Sequence, residues 1–319
     1  MKDQRYVLVK GSSGLGNRIL AAASAILYGQ ITDRKIIIDW SEGSYSEDEM
    51  NVFLLYFKND NLASLDDLEE IKSIYPKMWE NNLDKSFGGL KQQLNLKGYP
   101  DMSFNISKLD YDQDILVFCA YSSKVHAMRR LFKDKFSYLN TMTNPQILAK
   151  IIRENFELQP DIRSRIDNFK AKNFGKNTIG VHIRYSDMKI PLDEIYQKVK
   201  QVVQQNKQAT IFLATDSKEV SENFQNTYEK VVKTDKWFSP SGERLHQNWT
   251  QCPDRIENGK QALIDLYLLS ECDSLIFSSQ SSFGYVASLL SDSKKLYDIK
   301  ESSKLNSLIL KVKQSFKIF

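Results

Sequence analysis

A chain of 319 residues with 41% hydrophobic and 26% charged side chains has the balance of a folded protein and the length of two domains. That composition excludes a disordered polar chain. The 44 basic and 40 acidic residues leave a net charge of +4, too small to argue for nucleic acid and suited to an anionic small molecule or, at most, peripheral contact with an anionic membrane.

The first segment reads as strand, glycine-rich turn, helix, strand. Arg5–Lys10 is a short β-branched run that Gly11-Ser-Ser-Gly-Leu-Gly16 breaks. Asn17 to Gln30 is rich in alanine and leucine without proline, and Lys35–Asp39 is an apolar run. Strands buried on both faces look like this, so a parallel βαβ unit is expected. From Ser41 to about Gln113 the pattern loosens, and Asp114–Ala120 then reads as another buried strand. The texture resets near residue 140. Helical patterns at 145–156 and 159–172 lead to a strand at Thr178–Tyr185, a helix at Leu192–Gln205 and a strand at Ala209–Thr215. A helix at Ser217–Tyr228, a short strand at Lys230–Lys233 and a helix at Lys260–Glu271 follow. Ser274–Ser278 is a strand, Ser282–Leu290 a helix and Lys295–Tyr297 a brief strand. Alternation in both halves predicts an α/β fold of two doubly wound domains facing each other. The expected domains are 1–140 and 141–300, with 301–319 as a helical tail packing back.

Four places carry chemistry. Gly11 to Gly16 lies between a strand and a helix, where glycines (Gly14, Gly16) let backbone approach a ligand and the helix start offers unpaired N–H groups. Asn17 and Arg18 add hydrogen-bonding groups there, in the place where a Walker loop requires Lys-Ser/Thr, so this is not a Walker loop. His182 and Arg184 alternate onto one face of a strand near its carboxyl end. A guanidinium on such a face needs an anionic partner, which is either a phosphate held bidentately or a structural carboxylate. Ser278-Ser-Gln-Ser-Ser-Phe-Gly284 opens a helix with more hydroxyls than a cap requires, and that density favours phosphate binding. Asp216 follows a buried strand and either caps the next helix or accepts hydrogen bonds from a purine such as guanine.

Two further patterns point elsewhere. Asp110-Tyr-Asp112 has the spacing of a metal-carrying DxD but lies in a polar stretch where a solvated turn is expected. Tyr196 and Lys200 match the YxxxK pair of short-chain dehydrogenases, and Asp39 stands where a ribose-binding acid would follow the glycine loop. A nicotinamide oxidoreductase is therefore the alternative reading, although it leaves His182, Arg184 and the serine loop without a task. A non-catalytic module that binds glycans or nucleotide sugars is a third. Cys119, Cys252 and Cys272 are too few and too scattered for a disulfide framework or zinc site. The apolar stretch from Leu20 to Tyr28 is too short to span a bilayer, and the start lacks a signal-peptide pattern, so a cytoplasmic location is expected.

Taken together, these residues resemble the GDP-fucose fucosyltransferase superfamily, in particular its NodZ-like group, with echoes of plant xyloglucan fucosyltransferases. The resemblance rests on Gly14-Leu-Gly-Asn-Arg18, Gly180-Val-His-Ile-Arg184 and Phe212-Leu-Ala-Thr-Asp216. It rests also on the stretch from Asp265-Leu-Tyr-Leu-Leu-Ser270 through Ser281-Ser-Phe-Gly284. It implies a GT-B architecture, two Rossmann-like domains about a central cleft, with the donor held mainly by the second. It also implies inverting transfer of fucose from GDP-fucose to a glycan or glycolipid acceptor, with no metal or other cofactor. His182 would then contact the nucleotide, Arg184 the β-phosphate and Asp216 the guanine, beside Gln280, Ser281, Ser282 and Phe283. The general base would be a carboxylate after the H-x-R strand, with Asp187, Asp193 and Glu194 competing, and Lys189 would assist the diphosphate.

Overall fold

A computed structural model describes residues 4–68, 73–96, 100–185, 192–239 and 249–299. The fold is mixed α/β with parallel sheets, and the chain divides into two compact units, Met1–Gln159 and Pro160–Phe319.

In the first unit, β1 (Tyr6–Lys10) leads through the glycine loop into α1 (Leu15–Thr32) and β2 (Lys35–Asp39). Helix α1 is buried almost all round, which its alanine-rich sequence permits because small side chains let neighbouring elements approach closely. It ends at Asp33, in the left-handed conformation with φ 56°. The loosely patterned stretch that follows holds only short pieces: α2 (Phe53–Tyr56), β3 (Phe57–Lys58), β4 (Ile74–Tyr75) and α3 (Phe87–Gln93). Strand β5 (Ile115–Phe118) and the short helix α4 (Val125–Met128) precede α5 (Asn144–Asn155) and β6 (Glu157–Leu158). The parallel sheet has the order β2-β1-β5-β4, and β3 pairs with β6 in a separate antiparallel ribbon.

The division falls later than the expected boundary at 140, for an identifiable reason. Helix α5, with a capping box between Thr143 and Gln146, packs on α1, while β6 pairs with β3. Gln159 donates its backbone N–H to the Tyr56 carbonyl at 2.9 Å and its side-chain amide to the Leu54 carbonyl at 2.7 Å. These contacts tie residues 144–159 to the first unit. The expected tail at 301–319 lies outside the described residues.

The second unit runs α6 (Pro160–Asn173), β7 (Thr178–Ile183), α7 (Leu192–Gln205), β8 (Thr210–Thr215), α8 (Lys218–Thr227) and β9 (Val231–Val232). It continues with α9 (Arg255–Ser270), β10 (Ser274–Phe277), α10 (Ser282–Leu290) and β11 (Leu296–Asp298). The five strands are all parallel in the order β11-β10-β7-β8-β9. That is the order of a doubly wound sheet, and its winding reverses between β7 and β10. Strand β7 is buried along its whole length and uses its two faces differently. Ile179, Val181 and Ile183 join the core with Ile195, Val199 and Val202 of α7 and Phe224 of α8. The other face carries Gly180, His182 and, just beyond the strand, Arg184. An added Cβ on Gly180 would lie 3.0 Å from Cys272 Sγ, so closely is that face covered.

Candidate functional site

The carboxyl ends of β7 and β10, where the second sheet reverses its winding, are the place such folds bind ligands. His182 at the end of β7 lies almost parallel to Phe283 of α10, with centroids 5.2 Å apart and planes at 23°. Gly284 makes this approach possible, because a Cβ there would sit 2.7 Å from His182 Nδ1. Nδ1 itself is enclosed without a hydrogen-bond partner. Burial pushes the imidazole pKa down to about 3, Asp216 opposes the shift, and the cations Arg184 and Lys236 add to it. His182 is therefore a neutral ring at any ordinary pH.

Arg184 faces Asp216 from the end of the neighbouring strand, with Nη1 3.4 Å from Oδ2. The other Asp216 oxygen accepts the Tyr185 N–H at 2.7 Å. Asp216 does not cap α8; Ser217 does, accepting the Val220 N–H at 3.3 Å. Of the two partners expected for Arg184, the carboxylate is the one the geometry shows. A carboxylate orients the guanidinium, which is still partly exposed at the sheet edge.

The serine loop is moored from the far side of the sheet. Asp298, the last residue of β11, accepts from the Ser279 N–H at 2.8 Å and from its hydroxyl at 2.7 Å. Ser281 takes the N-cap position of α10 but makes no side-chain capping bond. Its own N–H donates to the Ser278 carbonyl at 3.1 Å. The helix start consequently keeps first-turn N–H groups and the positive end of its dipole beside the buried Ser281 hydroxyl. Gln280, Ser282 and Phe283 are partly exposed around it.

The structure adds a group that sequence reasoning passed over. Beyond β9 the chain runs back toward α9, where Thr234 and Lys236 both bind Asp265. The Thr234 hydroxyl donates to Oδ1 at 2.6 Å and Lys236 Nζ to Oδ2 at 2.6 Å. In the sequence Asp265 opens one of the stretches that carry the family resemblance, with no role given to its carboxylate. A carboxylate among leucines was the signal available for it.

Glu194 sits half-buried in the first turn of α7, next to the exposed Asp193. Asp187 and Lys189 lie outside the described residues.

In the first unit, the glycine loop occupies the same kind of position, beyond the carboxyl end of β1. Gly11 is required there, since a Cβ would fall 2.3 Å from Trp40 Cδ1. Arg18, expected to face a ligand, is instead wholly buried. Its guanidinium donates to the backbone carbonyls of Ser13 (3.0 Å), Trp40 (3.5 Å) and Glu42 (3.2 Å). It splints the glycine loop to the loop after β2 and has no surface left for a ligand. Burial lowers its pKa, partly offset by the Glu42 carboxylate. Burial also raises that of Glu42, whose Oε2 is enclosed without a partner. Tyr45 stands in for a capping side chain at α1, its hydroxyl accepting the Leu15 N–H at 3.1 Å. Gly16 is buried in the packing, whereas Gly14 and Asn17 keep some exposure.

The features behind the oxidoreductase alternative do not assemble. The Tyr196 ring packs on Phe224 at 4.7 Å, while Lys200 points to solvent. The Asp39 carboxylate is buried in an ion pair with Lys10 at 2.5 Å and also caps the Ser41 N–H. Asp110 and Asp112 are exposed on the loop before β5, with Tyr111 between them packed on Phe104 and Tyr75. Among the described residues, no cluster of three or more His, Cys, Asp or Glu side chains has a metal-binding arrangement. No described helix is long and apolar enough to cross a membrane.

Comparison with known proteins gives these sites a context. The family model of Nodulation protein Z (NodZ) matches residues 145–315, more than half of the chain. Nodulation protein Z of Azorhizobium caulinodans is 26% identical over 318 residues, covering 90% of each protein. Probable fucosyltransferase 9 of Arabidopsis thaliana is 25% identical over 317 residues, which are 89% of this chain and 59% of the plant protein. A crystal structure of NodZ alpha-1,6-fucosyltransferase soaked with GDP-fucose superposes with a TM-score of 0.61 at 22% identity, covering 90% of this chain and 93% of that one. At that identity the superposition establishes the fold.

Proposed function

The chain belongs to the Nodulation protein Z family, and from that premise we propose that it is a fucosyltransferase of GT-B type, taking fucose from GDP-fucose with inversion and without a divalent metal. The observation that carries this reading is the meeting of β7 and α10 at the reversal of the second sheet. A neutral His182, an oriented Arg184 and the uncapped start of α10 come together there.

The acceptor is a hydroxyl of a glycan or glycolipid. It attacks the anomeric carbon as the bond from that carbon to the β-phosphate oxygen breaks. GDP departs with the bonding pair, so negative charge grows on the β-phosphate. Arg184 offers two parallel N–H donors to that charge, and the α10 start adds fixed dipoles. These groups supply what a magnesium ion supplies in other transferases. Asp216 holds Arg184 and presents a carboxylate to the N1–H and amino group of guanine. Ser281 and Ser282 give hydroxyl donors, Gln280 an amide and Phe283 an apolar wall. The proton from the acceptor hydroxyl passes to a carboxylate, for which Asp187 and Glu194 are the candidates after the H-x-R strand. Lys189 would follow the diphosphate. In the first unit, Gly14 and Asn17 are the parts of the glycine loop still open to a ligand. The second unit is the donor domain, and the cytoplasm suits three cysteines that are buried and form no disulfide.

Arg184→Ala tests the reading directly. Release of GDP from GDP-fucose, with water or an oligosaccharide as acceptor, should fall by at least ~2 kcal/mol in transition-state stabilisation. Arg184→Lys keeps the charge but not the fork and should recover only part of the loss. Unchanged GDP affinity and turnover in Arg184→Ala would remove the assignment.

A further inference from the structure

Lys236 and Asp265 form a buried ion pair that the transfer chemistry above leaves unused. Its place along the sheet edge bears on which part of a bound nucleotide it would meet. Strand order fixes a direction along the sheet edge: β10 and β7 flank the reversal, then come β8 and β9. With phosphates at the β7–β10 junction and Asp216 at the end of β8, a nucleotide lying along that edge carries its base toward β9. Adjacent strands lie about 4.8 Å apart, so two spacings carry the edge roughly 10 Å from β7. The segment that leaves β9 at this point is the one bearing Thr234 and Lys236.

The pair is built more carefully than a surface tether. Asp265 is 2% exposed and the Lys236 side chain 13%. Both carboxylate oxygens are occupied from one short segment, Oδ1 by the Thr234 hydroxyl and Oδ2 by Lys236. Trp237 continues the attachment, its N–H donating to Gln261 Oε1 at 3.4 Å. The Lys236 ammonium also lies 5.6 Å from the Phe238 ring centroid, so its position is fixed from two sides. An isolated buried ion pair gains little stability over apolar side chains of the same size. A threonine–aspartate bond alone would suffice to anchor the segment. A lysine placed here supplies a compact donor with three N–H bonds, of which Asp265 takes one.

We infer that Lys236 reads the purine: it donates to the O6 and N7 edge of guanine, with Asp265 as its positioning residue. Guanine and adenine differ at that edge, where guanine offers the O6 acceptor and adenine a donor amino group. Asp216 accepts from N1–H and the 2-amino group, so two side chains of opposite charge would meet complementary parts of one ring. The pairing makes the site selective for guanine nucleotides by leaving an adenine amino group against an ammonium. This inference rests on the donor-binding reading of the second unit.

Calorimetry on the full chain with GDP, IDP and ADP tests it. IDP keeps O6 and lacks only the 2-amino group. Wild-type protein should prefer GDP and IDP to ADP. Lys236→Met should weaken GDP and IDP by about tenfold to a hundredfold, the range for losing a charged donor, and leave ADP nearly unchanged. Lys236→Arg should restore part of the preference. Because Lys236→Met strands a buried carboxylate, the double variant Lys236→Met/Asp265→Asn serves if the single one does not fold; its amide oxygen still accepts from Thr234. Equal weakening of GDP and ADP would assign Lys236 to the phosphates or to structure and overturn the inference, as would unchanged GDP affinity. Failure of the donor-site reading looks different: wild-type protein would bind none of the three nucleotides.

Discussion

Enclosure of His182 between β7 and the first turn of α10 gives its imidazole a pKa of about 3, set first by burial. In the unfolded chain the same ring titrates near 6.5. Above that pH both states are neutral and the ring contributes no pH dependence. As pH falls from about 6.5 toward 3, the unfolded chain takes up a proton that the native ring refuses, and stability is lost by up to about 1.4 kcal/mol per pH unit. His182→Gln should remove that slope. Urea unfolding at pH 7 and pH 5 should show wild type losing about 2 kcal/mol more than the variant. Equal losses in the two proteins would place the proton uptake elsewhere. His182 and Arg184 were legible because alternation on a strand puts them on one face. Arg18 was misread because nothing local says that Ser13, Trp40 and Glu42 would turn three carbonyls toward it. Lys10 hides in the same way, a lysine inside an apolar strand whose partner Asp39 lies on the next strand.

Among the elements, glycines at contact points give the sharpest expectations. Gly11→Ala would ordinarily stabilise by reducing the freedom of the unfolded chain, by about 0.4–1 kcal/mol. Here the new methyl would meet the Trp40 ring at 2.3 Å, and that ring is held edge-on by Phe53 and Phe57 at 5.1 and 5.9 Å. Overpacking should win, with a net loss of about 1–3 kcal/mol in a denaturant titration. A stabilised variant would mean that Trp40 moves freely. The regular elements of the second unit were readable because their apolar positions recur without interruption. The helix expected at Lys260–Glu271 starts earlier, at Arg255, because Asp254 caps it by accepting the Glu257 N–H at 2.7 Å. That Asp-x-x-Glu signal was present and overlooked. Residues 41–113 were illegible for a different reason. Their pieces are two to seven residues long and take their shape from distant partners, as when Trp79 donates to the Met102 carbonyl or Lys10 reaches the Leu83 carbonyl.

At the scale of the molecule, ligand binding is read as stability by mass action. GDP at a hundred times its Kd should raise the unfolding free energy by about 2.7 kcal/mol. Because Arg184 and the α10 start meet the diphosphate in the proposed mechanism, EDTA should leave that gain unchanged in a thermal-shift series. A gain that vanishes with EDTA and returns with Mg²⁺ would overturn metal-free donor binding. UDP and NAD in the same series should stabilise far less. The division into two units was visible as a reset of pattern near residue 140, while its position depended on contacts of α5 and β6 that no local pattern announces.

The hold of Asp298 on Ser279 has a consequence for biosynthesis. The serine loop is translated before its anchor, and β11 can join β10 only after residue 298 has cleared the ribosomal tunnel. A nascent chain released before that point would carry every strand up to β10 and still present an unmoored loop. Competence for the proposed nucleotide binding should therefore wait until residue 298 has emerged, well after the glycine loop and the H-x-R strand have been made.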